Sequence, residues 1–110
     1  MSLSLRIMVL EGILFKGFFY NSLIDVTNLR GIGKTTALIN FAKEYGFGVI
    51  LDSYADKTKQ YRKYFDYEHI YCQNERVSYL ADRYVIDEGV NSEIMEERGF
   101  NIVTGFVSHN

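Results

Sequence analysis

The sequence contains no proline, no tryptophan and a single cysteine. Average usage would place about five prolines in a chain of this size. Without them there is no polyproline segment and no Pro-rich linker between domains. The lone Cys72 excludes an internal disulfide and offers no zinc-ligand spacing. A single thiol suits a reducing compartment, and the expected location is the cytoplasm. Neither sign of charge dominates. Twelve Lys and Arg stand against fourteen Asp and Glu, for a net charge of -2. That excludes a general polyanion binder but leaves room for a local basic patch. No apolar run approaches the roughly 18 residues that span a bilayer. The run Ile7 to Leu10 follows Arg6 but is broken by Glu11, Gly12 and Lys16. It is too short for a secretory h-region of about 7–15 residues. No membrane association is expected.

What the chain does have is apolar and aromatic mass. Hydrophobic residues make up 47% of 110 residues, with nine Tyr and eight Phe. This is one domain's length with enough ring area to close a modest core, and too hydrophobic to stay disordered.

Residues 2 to 9 alternate, with Leu3, Leu5, Ile7 and Val9 on one side. That period of two suggests a strand, and Glu11-Gly12 a turn into a second apolar stretch, Ile13 to Tyr20. A hairpin is expected over residues 1–22 as an N-terminal extension. A short amphipathic helix is the alternative, since Gly12 and Gly17 weaken both. From Leu23 the pattern sharpens into a core over residues 23–110. Short apolar strands are expected at Leu23–Thr27, Gly48–Asp52, His69–Cys72, Tyr84–Asp87 and Asn101–Val107. Helices are expected at Lys34–Tyr45 with Gly46 as its C-cap, through Phe65 with Asp56 as its N-cap, over Asn74–Ala81, and through Arg98 with Asn91 as its N-cap and Gly99 ending it. Strands alternating with helices imply an α/β fold, a mainly parallel sheet flanked by helices.

Between the first of these strands and the first helix lies Gly31-Ile32-Gly33-Lys34-Thr35-Thr36. Glycines let backbone amides approach a polyphosphate closely, and the following helix aims its positive end at the same anion. A lysine here reaches the β- and γ-phosphates, and the next hydroxyl can bind Mg²⁺. Gly33, Lys34 and Thr35 occupy those places. In the full pattern G-x-x-x-x-G-K-[ST] the first glycine position is held by Asn28, the non-glycine residue type that best tolerates a left-handed backbone. The bland alternative is a glycine turn before a helix.

A second signal is Arg83-Tyr84-Val85-Ile86-Asp87-Glu88-Gly89, an apolar strand ending in two carboxylates. Open α/β sheets bind ligands at the carboxyl ends of their strands. An Asp there orients Mg²⁺ in phosphate-loop enzymes, and a following Glu acts as general base toward water. A solvated acidic turn is the alternative.

Together these residues resemble the core of a P-loop NTPase. Asn28 to Thr35 is similar to a Walker A motif. Val85 to Glu88 is similar to a Walker B motif with adjacent glutamate, as in AAA-like ATPases and helicases. The resemblance covers Leu23 to Val107, about three quarters of the chain. Arg30 to Thr36 also looks like the small P-loop ATPases of bacteriophages and other mobile elements. The resemblance implies ATP or GTP with Mg²⁺ as cofactors and the loop on a central strand. Asn28, Gly31, Ile32, Gly33, Lys34, Thr35 and Thr36 would hold the nucleotide, Thr35 and Asp87 the metal. Lys34 and Glu88 would be catalytic. It implies an ATP hydrolase serving nucleic-acid metabolism. The partners would be DNA or RNA, or a replication or packaging protein, and further copies of the chain in a homo-oligomer.

Other residues are weaker candidates. Thr104, with Ser108 and His109 behind it, matches the γ-phosphate-sensing position of AAA-like ATPases, or simply fills a strand. Asp52 and Ser53 end a parallel strand and either face ligand or cap a helix. Lys57 to Tyr64 interleaves cations with aromatics, as a nucleic-acid strand requires. An ordinary amphipathic helix with Tyr61, Tyr64 and Phe65 inward is the simpler account. Arg30, Arg76 and Arg83 are candidates for charge near the γ-phosphate. Two further functions stay open. Val85–Gly89 followed by Ile102–Phe106 is similar to thymidine-kinase-like phosphotransferases, although those need several cysteines. The third is a non-catalytic nucleotide-binding interaction module.

Overall fold

In the computed structural model, which describes residues 2–27, 33–75 and 81–109, the chain runs α1 (Leu3–Phe19), β1 (Ile24–Asp25), α2 (Lys34–Tyr45), β2 (Gly48–Leu51), α3 (Ala55–Phe65), β3 (Ile70–Cys72), β4 (Tyr84–Ile86), α4 (Ser92–Glu97) and β5 (Ile102–Val107). The five strands form a wholly parallel sheet in the order β1-β5-β4-β2-β3. This is the α/β architecture expected from the alternating pattern. Every residue of β2, β3 and β4 is buried, as continuous apolar strands must be when helices cover both faces. The helices α1, α2 and α3 share one face and a core of Leu10, Leu14, Leu38, Phe41, Val49 and Phe106. The short α4 lies on the other face, where its Met95 packs in a cluster with Ile50, Tyr84 and Ile86. Among the described residues no helix is long and apolar enough to cross a membrane.

The expected hairpin over residues 1–22 is instead the helix α1. Ser2 caps it, its hydroxyl accepting from the Leu5 amide at 3.2 Å. Leu10, Leu14 and Gly17 are buried, with Ile7 and Phe18 partly so, a helical spacing. The alternation at Leu3, Leu5, Ile7 and Val9 misleads because apolar residues surround the helix. Leu5, Met8, Val9, Phe15 and Phe19 remain exposed on its outer side. Tertiary packing chose the period. Phe18 meets Phe41, Tyr45 and Phe47 at ring separations of 5.1–6.4 Å, locking α1 along α2. Gly17 permits the close approach to β5, since a Cβ there would come within 2.6 Å of the Thr104 hydroxyl.

The helix α2 begins and ends where expected, and Gly46 is its left-handed C-cap at φ 74°. Asp56 does not cap α3. Tyr54 is its N-cap without a side-chain bond, and Asp56 sits in the first turn. Asn91 does cap α4, its side chain accepting from the Ile94 amide at 3.1 Å. The helix expected over Asn74–Ala81 falls mostly outside the described residues. The strand before Asn28, expected to be central, stands at the sheet's edge, because β5 inserts between β1 and β4.

Two residues of β5 oppose one of β4 between Tyr84 and Val85, a bulge that re-aims the strand's carboxyl end. Just beyond it Gly105 has φ 151°, and a Cβ there would lie 2.3 Å from the Ile86 carbonyl oxygen. Both strain and contact require glycine. Gly105→Ala is expected to cost about 1–3 kcal/mol or more in urea denaturation, with Ile86 displaced.

Candidate functional site

A doubly wound sheet opens a crevice where successive connections leave in opposite directions. Here α3 carries the chain from β2 outward to β3 on one face, and α4 carries it from β4 to β5 on the other. The crevice therefore lies beyond the carboxyl ends of β2 and β4. Asp52 follows one of those ends, and Asp87-Glu88-Gly89 follow the other.

The first turn of α2 faces the same place. Gly33, at φ 107°, is its N-cap and supplies no side chain to the first-turn amides. These amides have no helical acceptor, so the turn presents donors and a positive helix end to the crevice. Thr35 Oγ1 donates to Asp87 Oδ2 at 3.1 Å, joining positions 52 residues apart. Lys34 Nζ lies 2.8 Å from Glu88 Oε1, in an ion pair whose lysine is 16% exposed. The other Asp87 oxygen, Oδ1, accepts from the Glu88 amide at 2.9 Å. The four side chains thus form two crossing pairs between one helix start and one strand end.

Of the other expected nucleotide-binding positions, Thr36 borders the adjoining groove between α2 and α3. Asn28, Gly31 and Ile32 lie outside the described residues, as do Arg30 and Arg76. Thr104 is near Gly17 rather than in the crevice. Its buried hydroxyl donates to the Ser22 carbonyl at 2.8 Å and anchors the turn after α1. His109 is tied to β1, its amide donating to Thr27 Oγ1 at 2.8 Å. Arg83 precedes β4 at its amino end, where its carbonyl accepts from Gly48, so it stands at the opposite end of the sheet from Asp87.

Asp52 does not cap α3. It reaches across the strand ends, where Oδ1 accepts from Gln73 Nε2 at 2.8 Å. Its carboxylate lies so close to Gly89 that a Cβ there would come within 2.0 Å of Oδ2. Gln73 was missed from sequence, although its place one residue beyond a parallel strand marks it as a rim residue. The turn that carries it is clamped. Arg62 Nη2 makes bonds of 3.0 and 3.1 Å to the Glu75 carboxylate, and Arg98 donates to the carbonyls of Gln73 and Glu75.

Burial pushes the Asp87 carboxyl above the ordinary aspartate range, and ionised Glu88 adds to this. The Glu88 amide, the Thr35 hydroxyl and Lys34 pull the other way. A carboxyl raised by folding favours the native state fully below the unfolded pKa, a contribution lost as pH rises through the folded one. At neutral pH the ionised Asp87 is therefore a cost to stability. Asp87→Asn keeps an oxygen acceptor and removes the charge. It is expected to raise Tm at pH 7, with the gain fading as pH falls through the carboxylate range, measured by thermal melts from pH 3 to 7.

The donor set suits a small hard cation. Mg²⁺ binds oxygens octahedrally, so neighbouring ligands stand about 2.9 Å apart, and it commonly takes one or two protein oxygens together with phosphate and water. Thr35 Oγ1 and Asp87 Oδ2, at 3.1 Å, match that pair spacing. Among the described residues no group of three or more His, Cys, Asp and Glu is placed to hold a metal by itself. Compared with protein-family models, curated proteins and solved structures, the chain matches none of them.

Proposed function

We propose that this chain binds a nucleoside triphosphate, ATP in the first instance, with Mg²⁺ in the crevice beyond β2 and β4, and hydrolyses it in the service of nucleic-acid metabolism. In this proposal residues 28–35 form a phosphate loop and Val85–Glu88 the acidic strand end of a P-loop NTPase core. The observation that carries it is the bond between Thr35 and Asp87. Two motifs recognised separately, each weak alone, meet at hydrogen-bonding distance with their chemically matched partners facing.

The α2 amides and Lys34 hold the β- and γ-phosphates, and Thr35 with Asp87 holds the metal. Bound Mg²⁺ would neutralise charge developing on the phosphate oxygens. Without nucleotide, Glu88 neutralises Lys34. A phosphate that takes Lys34 frees the Glu88 carboxylate, which then accepts a proton from the attacking water. Binding thereby arms the base. The direct test is release of phosphate from Mg-ATP and Mg-GTP by the full chain, alone at high protein concentration and with single-stranded DNA. No turnover in any of these conditions rejects hydrolysis.

The kinase alternative uses the same phosphate residues, with Glu88 accepting a proton from a substrate hydroxyl. Asp52 and Gln73 would then be the polar rim that meets such an acceptor. Phosphate transfer to a nucleoside, in place of release to water, would distinguish it.

A further inference from the structure

The groove between α2 and α3 has a volume of about 450 Å³ and is lined by Thr36, Lys57, Gln60, Tyr61, Tyr64 and Phe65. That volume is in the range of small-molecule sites. Its walls are aromatic. Phe65 stands 5.0 Å from Tyr64 edge to face and 6.3 Å from Tyr61. Tyr61 and Phe65 lean on the core, which fits the amphipathic account of this helix. Tyr64 does not. It is 83% exposed, where an inward position was expected. An exposed ring beside two half-buried ones is a stacking platform that core packing does not require.

The polar groups around this platform are those a nucleotide needs. Gln60 offers an amide donor and acceptor, which match the edge of a base. Lys57 Nζ lies over the Tyr61 ring, 5.9 Å from its centre, which places a cation beside the exposed Tyr64. The helix also carries Lys59, Arg62 and Lys63 against Asp56, in a chain whose net charge is -2. Arg62 is committed to Glu75, and Lys43 from α2 to the Phe65 carbonyl, so Lys57, the one lysine among the residues that line the groove, is the cation placed for phosphate. The groove begins at Thr36, the residue after the Thr35 that meets Asp87.

We propose that this groove is a nucleobase-binding site, in which a base stacks on Tyr64 and Tyr61 and the adjoining phosphate is drawn to Lys57. The base comes either from the nucleotide whose phosphates lie at Lys34, which rests on the function proposed above, or from a single-stranded nucleic acid, which does not. Stacking of this kind tolerates any base, because every base presents a π-face.

The test uses calorimetry with three probes, Mg-ATP, inorganic tripolyphosphate and a 12-residue oligothymidylate, on the full chain. Tyr64 is exposed, so Tyr64→Ala leaves the fold intact. It is expected to weaken one base-bearing probe by about 5- to 100-fold, while Tyr64→Phe keeps the ring and the affinity. Loss for Mg-ATP with tripolyphosphate unchanged assigns the base to the bound nucleotide. Loss for the oligothymidylate alone assigns it to a single strand. The proposal is overturned if Tyr64→Ala binds both as wild type does, or if Tyr64→Phe loses as much as Tyr64→Ala. It is also overturned if wild type binds no oligothymidylate and holds ATP no tighter than tripolyphosphate. Lys34→Ala separates the two ideas. Unchanged tripolyphosphate affinity in that variant sinks the phosphate site, while the oligothymidylate arm still decides the groove.

Discussion

Turnover of Mg-ATP is expected to fall by about 10²–10⁴-fold in Glu88→Gln, the contribution typical of a general base. The amide has nearly the same shape as the carboxylate but cannot accept the proton of the attacking water. Binding should move the other way. Glu88 forms an ion pair with Lys34 at 2.8 Å. A triphosphate must displace that carboxylate before it can take the lysine. Replacing the carboxylate by an amide removes a competitor and a negative charge from the phosphate's path. Glu88→Gln should therefore bind Mg-ATP at least as tightly as wild type while hydrolysing it far more slowly. Single-turnover kinetics and calorimetry on the same preparation read the two effects separately. Wild-type turnover in this variant would remove Glu88 from the mechanism. A large loss of affinity would contradict the displacement account.

Lys34→Ala is expected to weaken Mg-ATP binding by about 30-fold or more, as truncating one member of a largely buried charge contact costs 2 kcal/mol or above. The fold should survive. Lys34 starts a helix, alanine is the best helix former, and Glu88, its partner, is half-buried with access to water. The melting temperature should stay close to that of wild type, since Glu88, left without the lysine, keeps its access to water. Equal affinity in mutant and wild type would show that the phosphates lie elsewhere. The two variants have opposite signatures. One loses binding, and the other keeps binding and loses chemistry.

Local chemistry made much of this molecule legible in advance. The helix from Lys34 to Tyr45 carries its own signals, an apolar face at Ala37, Leu38, Phe41 and Ala42 and a glycine at the left-handed position that ends it. Apolar runs such as Val49-Ile50-Leu51 and Tyr84-Val85-Ile86 announce buried parallel strands, because only strands covered on both faces are apolar without alternation. Pattern also brought Lys34, Thr35, Asp87 and Glu88 forward as a set, since the residue types needed for phosphate and a hard cation are few and their spacing is constrained.

What the chain could not disclose from its order alone is whatever depends on which surfaces meet. Residues 3 to 19 carry apolar side chains all round, so either period fits them, and only the fit of Leu10, Leu14 and Phe18 against α2 and β5 decides for a helix. Strand order is equally non-local. The placing of β5 between β1 and β4 puts β1 at the edge and buries Thr104 beneath α1. The ion pair between Lys34 and Glu88, the contact of Asp52 with Gln73 and Gly89, and the exposure of Tyr64 arise in the same way. Sequence by itself determined most of the elements from Lys34 onward and singled out the candidate residues, because helix caps, apolar runs and glycine turns act over a few residues. Only the tertiary structure decided the partners, because a hydrogen bond spanning 52 residues depends on how the whole sheet is ordered.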